Sequence, residues 1–216
     1  MIPSVLIYGD FNCPFSALAN ARASRLAAAG RLSVDWCSVE HDTTIGPNEY
    51  PLTSQQAAAF RAELEQIAGI LTPDEPDRFR VPSRRVNTRD LNRIYAATPP
   101  ARRTELRTAI FDAYWIDDRD VTSDRVLDEI INTLAVDQSS QEDHASDNHV
   151  SRSVATWQRQ WEAPPRPIVP TMIIDQGYVS RGLGALARLA SGSVSAPSPR
   201  RTASDRTEHV RAPGAG

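Results

Sequence analysis

A short apolar strand, a helix and a second strand follow one another at the start of the chain, and this order constrains the fold most. Ser4–Tyr8 is apolar and partly β-branched, and it stops at the breaker Gly9, too early to be a helix. A helix is predicted from the N-cap Asn12 to Gly30, which stands where a left-handed C-cap belongs. Arg31–Glu40 alternates in polarity and predicts the second strand. Because a helix joins them, we expect the two strands to be parallel neighbours in an α/β fold.

Helical periodicity replaces the strand signal from Thr53 to about Trp161. Two interruptions, Pro73–Val86 and Asp137–Asn148, have the composition of loops. Four apolar stripes predict the helices: Ala57, Phe60, Leu64, Ile67 and Leu71; Leu106, Ile110 and Ala113; Val126, Leu127, Ile130, Ile131 and Leu134; and Val150, Val154, Trp157 and Trp161.

Strands return after the helical stretch. Ile168–Ile174 is apolar and β-branched, Asp175–Gly177 has the composition of a tight hairpin turn, and Tyr178 begins the return strand. Gly182–Ala190 is long enough for a final short helix. Residues 191–216 are rich in Ser, Pro, Ala, Gly and Arg without apolar periodicity, which predicts a disordered tail.

The composition excludes several classes of function. All 24 positive side chains of the 216 residues are Arg, so the absence of Lys excludes Schiff-base enzymes and a Walker-A phosphate loop. No apolar run reaches the ~18 residues of a membrane span, and a net charge of −3 favours neither a nucleic-acid nor a membrane partner. The first ten residues lack the basic region and cleavage site of a signal peptide, so a cytoplasmic location is expected.

Cys13 lies where the first strand passes into the N-terminus of the predicted helix. The free backbone N–H groups and the dipole at a helix N-terminus favour an anion. We therefore expect the Cys13 thiol to have a pKa below its ordinary value of ~8.5 and to be a reactive thiolate at neutral pH. The alternative is that Cys13 is a small buried hydrophobic residue.

Two segments resemble the DsbA-like branch of the thioredoxin superfamily: Asp10–Ser16, with the sequence DFNCPFS, and Val169–Val179, with the sequence VPTMIIDQGYV. The resemblance implies an α/β thioredoxin-like fold with an inserted all-helical domain. Residues 1–52 and 162–190 would form the discontinuous thioredoxin-like domain, 53–161 the insertion and 191–216 the tail. Weaker similarity covers about residues 4–190, through Val34–Trp36, Val86–Thr88, Leu91, Ile94–Ala96, Phe111–Trp115, Asp120 and Leu127.

The resemblance also implies the site. Pro170 would follow a cis peptide bond and face Cys13, and the backbone of Val169 would pair with a substrate chain or with glutathione. A proline within an apolar strand lacks its ladder N–H, which independently calls for special geometry. The catalytic candidates are Cys13 and Ser16, and the substrate-contacting candidates are Asn12, Pro14, Phe15, Val169, Pro170 and Thr171.

Ser16 departs from the family pattern, because it stands where the usual dithiol motif has its second Cys. No disulfide can form within the motif, so a mixed disulfide on Cys13 must be released by a second thiol such as glutathione. Ser16 could donate a hydrogen bond to the Cys13 thiolate or be an inert replacement. The expected partner is a thiol or disulfide substrate, either a protein or glutathione as co-substrate. No tightly bound cofactor is expected, and homodimerisation is an open alternative.

Two other functions stay open. The 2-hydroxychromene-2-carboxylate isomerases and kappa-class glutathione transferases have Ser-Pro-aromatic-Ser at this place, followed by a pair like Leu18-Ala19. By that resemblance Cys13 takes the position of their catalytic Ser and would activate the sulfur of bound glutathione. A thioredoxin-fold binding or chaperone module that has lost redox cycling is the third hypothesis, because the second Cys is missing.

The remaining candidate residues are weaker. Cys37 lies late in the second strand, at the sheet edge near Cys13, and is expected to be a buried spectator rather than a resolving thiol. His144 and His149 lie in a polar stretch without zinc-binding spacing, so no metal site is expected.

Overall fold

Strands from both ends of the chain form one four-stranded sheet. The computed structural model describes residues 2–46, 50–134, 147–174 and 177–194. The strands are β1 (Ser4–Gly9), β2 (Ser33–Ser38), β3 (Tyr50–Pro51), β4 (Arg84–Arg85), β5 (Thr171–Ile174) and β6 (Tyr178–Arg181). The sheet order is β2-β1-β5-β6, with β1 parallel to β2 and β5 antiparallel to both β1 and β6. The predicted α/β thioredoxin-like fold and the parallel first pair of strands are confirmed.

In the described part of the chain five helices lie between β2 and β5; four of them match the predicted apolar stripes, and the fifth, Arg89–Ala97, was not predicted by a stripe. The helices are α1 (Pro14–Ala28), α2 (Ser54–Ala68), α3 (Arg89–Ala97), α4 (Arg103–Trp115), α5 (Asp124–Leu134), α6 (Asp147–Glu162) and α7 (Leu183–Ser191). Thr53 begins α2 with a capping box, in which its hydroxyl accepts the Gln56 amide hydrogen while the Gln56 side chain accepts the Thr53 amide hydrogen. None of the helices in the described ranges is long and apolar enough to cross a membrane.

The observed ends of several helices and strands differ from the predicted ones. The N-cap of α1 is Cys13 rather than Asn12, whereas Gly30 has the positive φ of 66° expected of a residue just beyond the helix. β5 begins at Thr171 instead of Ile168, because the preceding residues form a loop around Pro170. The predicted loop Pro73–Val86 contains β4, which pairs with β3 in a separate two-stranded sheet. Each of these strands has two residues, too few to give an alternating pattern.

Two further predictions meet the limits of the described chain. The loop Asp137–Asn148 lies largely outside it, and its last two residues belong to α6. The tail from 195 onward also lies outside it, but Val194 is buried in the main core, so packed structure continues beyond residue 191. The division into a thioredoxin-like domain and an inserted domain at residues 52/53 and 161/162 stays a prediction.

The end of β1 makes a close approach to the neighbouring strand at Gly9. A Cβ atom built on Gly9 would overlap the indole ring of Trp36, which lies on the neighbouring strand β2. Trp36 is itself buried and packs edge-on against Phe111 of α4. The absence of a side chain at residue 9 therefore lets the indole pack against the end of β1, directly before the Cys13 segment.

A buried arginine on α1 joins this helix to the elements packed around it. Arg22 is 1% exposed and forms an ion pair of 2.6 Å with Glu75, which follows α2. Its other guanidinium hydrogens are donated to the carbonyl oxygens of Ile70, at 2.7 Å, and of Leu186 on α7, at 3.0 Å. Because a buried charge needs several partners to offset its lost hydration, this arrangement joins α1, α7 and the segment after α2.

We expect Gly9→Ala to destabilise the protein by about 1–3 kcal/mol or more, because the new methyl group must displace the Trp36 ring. Gly69→Ala is the matched control, since a Cβ there meets only atoms at 3.5 Å and 3.6 Å. Urea unfolding of both variants measures the effect. Equal stability of the two variants would contradict the packing described here.

The Arg22–Glu75 pair predicts a loss of stability in acid. Burial alone would raise the pKa of Glu75, but hydrogen bonds from Arg22 and Thr72 outweigh it and lower the pKa to about 2. Because the pKa is lower in the folded state than in the unfolded one, the stabilisation is complete above about pH 4.5 and is lost as the pH falls towards 2. It amounts to at most about 3 kcal/mol.

The measurement is urea unfolding of the wild type and Glu75→Gln at pH 7 and pH 3. The wild type should be the more stable protein at pH 7, and its advantage should shrink at pH 3. An advantage independent of pH would show that the carboxylate is not the stabilising form.

Candidate active site at the start of α1

The Cys13 thiol lies between the N-terminus of α1 and the loop before β5. β1 leads to Cys13, and its antiparallel pairing with β5 sets Tyr8 opposite Thr171, so the loop 168–170 lies beside the end of β1. Cys13 Sγ is 4.0 Å from the carbonyl oxygen of Val169, to which the thiol can donate a weak hydrogen bond. Cys13 is 6% exposed, so the thiol is within reach of the surface but largely covered.

Three hydrogen bonds shape the loop that covers the thiol. The Val169–Pro170 peptide bond is cis, and the Pro170 carbonyl accepts the Gly182 amide hydrogen at 2.8 Å. The Ile168 carbonyl accepts hydrogen bonds from the Thr171 hydroxyl at 2.7 Å and the Trp161 indole at 3.0 Å. Thr171, which was predicted to contact the substrate, thus forms a hydrogen bond within the loop. The Val169 carbonyl oxygen is the loop group nearest to the Cys13 sulfur for which a hydrogen bond is shown.

A cavity of about 480 Å³ opens beside Cys13, between the start of α1, the end of β2, α2 and the loop before β5. This volume lies within the range of small-molecule sites in proteins. The predicted residues Asn12, Cys13, Pro14, Phe15 and Val169 line it. The other lining residues were not predicted to belong to the site: His41, Asp42, Gln56, Ala59, Phe60, Glu63, Arg85, Pro167 and Ile168.

Ser16 forms a buried hydrogen bond with the segment that leads to Cys13. It is fully buried, and its hydroxyl oxygen accepts the Asp10 amide hydrogen at 3.2 Å. The Ser16 amide and hydroxyl also interact with the Cys13 sulfur and lower the pKa of the thiol. Ser16 is therefore in contact with the sulfur, as predicted from its place one turn into the helix. Its role in a reaction stays a prediction.

The expected thiolate at Cys13 is wrong for the resting protein. Burial raises the pKa of Cys13 to about 12, because the contributions of Ser16 are too small to offset the loss of hydration. The negative charges of Asp10 and Glu63 raise it further. The sequence pattern located the helix N-terminus but did not show how deeply the sulfur is buried. At neutral pH, Cys13 is a thiol.

Asp10 and His41 form a pair at the carboxyl ends of β1 and β2. Asp10 is buried and accepts the His41 amide hydrogen at 2.8 Å, while His41 Nδ1 lies 2.6 Å from the same oxygen. The other carboxylate oxygen of Asp10 accepts the Asn12 amide hydrogen at 3.1 Å. Parallel strands bring their carboxyl ends to one sheet edge, so polar residues just after β1 and β2 were the signal that could have identified this pair.

The other charged side chains that line the cavity, among the described residues, are Asp42, Arg85 and Glu63. Asp42 and Arg85 form an ion pair across the gap between β2 and β4. Glu63 projects from α2 and is half-buried, and this burial raises its pKa despite the nearby charge of His41.

Asn12 is held by its neighbours. The Tyr114 hydroxyl is 3.1 Å from Asn12 Oδ1 and 2.8 Å from the Arg84 carbonyl oxygen. This contact joins α4 to the start of α1, and it leaves Asn12 in the cavity wall in a fixed orientation. Asn12 is thus better described as a rigid part of the wall than as a helix cap.

Cys37 is buried in β2 opposite Tyr8 of β1. Both cysteines are free, and they are not close to each other. His149 is exposed in the first turn of α6, whereas His144 lies outside the described residues. Within the ranges that the structure describes, no three His, Cys, Asp or Glu side chains come together as metal ligands would.

We predict that alkylation of Cys13 by iodoacetamide, measured against pH in a Cys37→Ala background, gives an apparent pKa well above 8.5, the ordinary thiol value. Ser16→Ala should raise this pKa further. The Ser16 amide and hydroxyl both lower it, and the substitution removes the hydroxyl. An apparent pKa below 8.5 in the wild-type site would contradict the burial of the sulfur described here.

A family model described as a DSBA-like thioredoxin domain matches residues 4–191. No curated protein sequence matches the chain. Among solved structures, a probable DsbA oxidoreductase from Streptomyces coelicolor is 20% identical, with a TM-score of 0.64 over 88% of this chain and 90% of that one.

Two other solved structures share the fold. A 2-hydroxychromene-2-carboxylate isomerase is 22% identical, with a TM-score of 0.58 over 88% of this chain and 94% of that one. The cytosolic disulfide reductase DsbM from Pseudomonas aeruginosa, in a structure with GSH, is 13% identical, with a TM-score of 0.59 over 88% and 95%. At these identities the similarity concerns the fold alone. Because the family model spans the chain from β1 to the end of α7, the protein belongs to the family of DSBA-like thioredoxin domains.

Proposed function

We propose that this protein is a thiol–disulfide oxidoreductase that reacts through one cysteine, Cys13. The observation that carries the proposal is the position of the Cys13 thiol, 4.0 Å from the carbonyl oxygen that directly precedes the cis Pro170, in the wall of a cavity. A disulfide substrate needs a nucleophile and a surface on which to align. The thiol at the start of the helix supplies the first, and the backbone polar groups beside the proline supply the second.

The exchange would proceed in two steps. Cys13 attacks one sulfur of a substrate disulfide, forming a mixed disulfide while the other substrate sulfur leaves as a thiol. Because Ser16 has no thiol and Cys37 is not close to Cys13, a second substrate thiol would attack the mixed disulfide and restore Cys13. The departing sulfur of the first substrate is reduced to a thiol, the attacking second thiol is oxidised into a new disulfide with the remaining substrate sulfur, and Cys13 returns to its starting form without a bound cofactor.

A small thiol such as glutathione is the co-substrate that the cavity favours. Cys13 is 6% exposed, and Ala59 and Phe60 of α2 line the cavity beside it; so little exposure of the sulfur limits the approach of a folded protein. A cavity of about 480 Å³ can hold a compact peptide-sized ligand. The structure of DsbM with GSH, which shares the fold, supports this choice of co-substrate. Because DsbM is a cytosolic protein by its description, it also supports a cytoplasmic location.

A glutathione-dependent isomerase or transferase is the second candidate, and one observation favours it. Burial raises the pKa of Cys13 to about 12, and a neutral thiol can donate a hydrogen bond to the sulfur of bound glutathione without being consumed. The similarity in fold to a 2-hydroxychromene-2-carboxylate isomerase is compatible with this function. In that case glutathione binds reversibly and no covalent bond to Cys13 forms.

The proposed function predicts that the protein catalyses the reduction of hydroxyethyl disulfide by glutathione. Cys13→Ala should lower kcat/KM by about 100-fold or more, because the nucleophile is lost. Cys37→Ala is the matched control and should keep the wild-type rate, since Cys37 is buried in β2 and takes no part in the exchange. Turnover is followed through the oxidised glutathione that is produced.

Each alternative gives a different result. Equal activity of the wild type and Cys13→Ala, or none in either, would contradict the oxidoreductase. Saturable glutathione binding without disulfide exchange would favour the isomerase or transferase. Inertness of both proteins towards glutathione would leave the redox-inactive binding module.

A further inference from the structure

The burial of Cys13 creates a chemical requirement that the thiol itself does not meet. The thiolate is the nucleophile in disulfide exchange, and the Cys13 thiol is protonated at neutral pH because burial raises its pKa to about 12. Attack on a substrate disulfide therefore needs a group that takes the thiol proton as the new bond forms. Such a group must border the same cavity as Cys13.

Among the residues that the structure describes, four titratable side chains other than Cys13 border the cavity: His41, Asp42, Glu63 and Arg85. The guanidinium group of Arg85 can only donate hydrogen bonds and cannot accept a proton. Asp42 is a weak base, because hydrogen bonds from Thr44 and Arg85 lower its pKa against the opposing effect of burial. His41 and Glu63 are left as candidates for the base.

Only one of these two is held in a fixed orientation by a hydrogen bond that the structure shows within the described chain. His41 Nδ1 lies 2.6 Å from the buried Asp10 carboxylate, which can only accept, so the hydrogen is on Nδ1. The second nitrogen, Nε2, is then the one available to a substrate in the cavity. Asp10 is itself fixed by the amides of Asn12 and His41.

We propose that His41, oriented by Asp10, is the acid–base residue of the Cys13 site. The inference rests on the proposed oxidoreductase function and adds a residue to it. An imidazole that lines the same cavity as the reacting cysteine and is held through Nδ1 by a carboxylate has the orientation in which histidine can transfer protons to and from a nucleophile.

The step balances within the site. The Cys13 sulfur forms a bond to one sulfur of a substrate disulfide while His41 Nε2 takes the thiol proton. The bond between the two substrate sulfurs breaks, and the departing sulfur takes the proton from His41 Nε2 and leaves as a thiol. The Cys13 sulfur is thereby oxidised, the departing sulfur is reduced, and His41 returns to its neutral form.

The groups around His41 determine the pH at which it can act. Burial alone would lower the pKa of His41, but the hydrogen bond to Asp10 and the charges of Asp10, Asp42 and Glu63 raise it above 6.5. Asp10 faces His41 from the end of β1, Asp42 from the adjoining residue and Glu63 from α2, while Arg85 offsets the charge of Asp42. The neutral imidazole is the base, so the rate of attack should rise with pH through a pKa above 6.5.

The test follows formation of the mixed disulfide between Cys13 and glutathione disulfide in the full chain carrying Cys37→Ala. Samples are quenched with acid and analysed by intact mass at a series of pH values from about 5.5 to 9. His41→Ala should lower the rate at pH 7.5 by about 100-fold, and added imidazole should restore part of it. His149→Ala, which removes an exposed histidine on α6, is the matched control and should leave the rate unchanged.

Two further variants make the test independent of folding. His41→Gln keeps a side-chain amide that can reach Asp10 but cannot transfer a proton. Like His41→Ala, it should lose the rise of the rate with pH that the titration of His41 produces. Asp10→Asn should move that inflection to lower pH, because the charge that raises the pKa of His41 is gone.

A rate and pH profile unchanged in His41→Ala and His41→Gln, or an inflection lost in Glu63→Gln and kept in the His41 variants, would overturn the role of His41. Failure of the wild-type site to form any mixed disulfide would overturn the proposed function instead, and this inference with it.

Discussion

The burial of α1 on both sides is the constraint on which the rest of the structure depends. On the sheet side, the chain before the helix passes the Trp36 indole at Gly9 with no room for a side chain. On the other side, the buried Arg22 guanidinium holds Glu75 and the carbonyl oxygens of Ile70 and Leu186. Because both contacts are made by rigid or fully partnered groups, the N-terminus of the helix is fixed in position, and Cys13 with it. A reactive cysteine on a movable loop would not have a defined distance to the Val169 carbonyl.

The same burial changes the chemistry of the site. Removing Cys13 from water costs more than the helix N-terminus and Ser16 return, so the thiol stays protonated. A low-dielectric cavity strengthens the interactions of any charge that forms in it, which is an advantage only if a group within the cavity exchanges the proton. The carboxyl ends of β1 and β2 supply such a group in His41, held by Asp10. Fold and chemistry are linked here, because the parallel pairing of β1 and β2 brings both residues to the edge where Cys13 lies.

Much of the fold could be predicted from the sequence, and less of the site. The strand, helix and strand at the N-terminus, the helical middle and the final hairpin follow from periodicity and breakers, which are local properties. The residues of the Cys-Pro segment were found because they are contiguous. His41 and Glu63 were missed because they lie on separate elements, and only the tertiary fold brings them to one cavity. The direction of the Cys13 pKa shift was wrong for a related reason: a helix N-terminus can be recognised in a sequence, but the depth of burial depends on a loop 156 residues away.

The central claim is that Cys13 itself becomes bonded to the substrate sulfur. The most direct measurement is peptide mapping by mass spectrometry of the full-length reduced protein after exposure to glutathione disulfide. The account predicts one glutathionyl group on the peptide that contains Cys13, removed by excess reduced glutathione, and none on the peptide that contains Cys37. Glutathione that binds reversibly while the Cys13 peptide stays unmodified at every pH would contradict it.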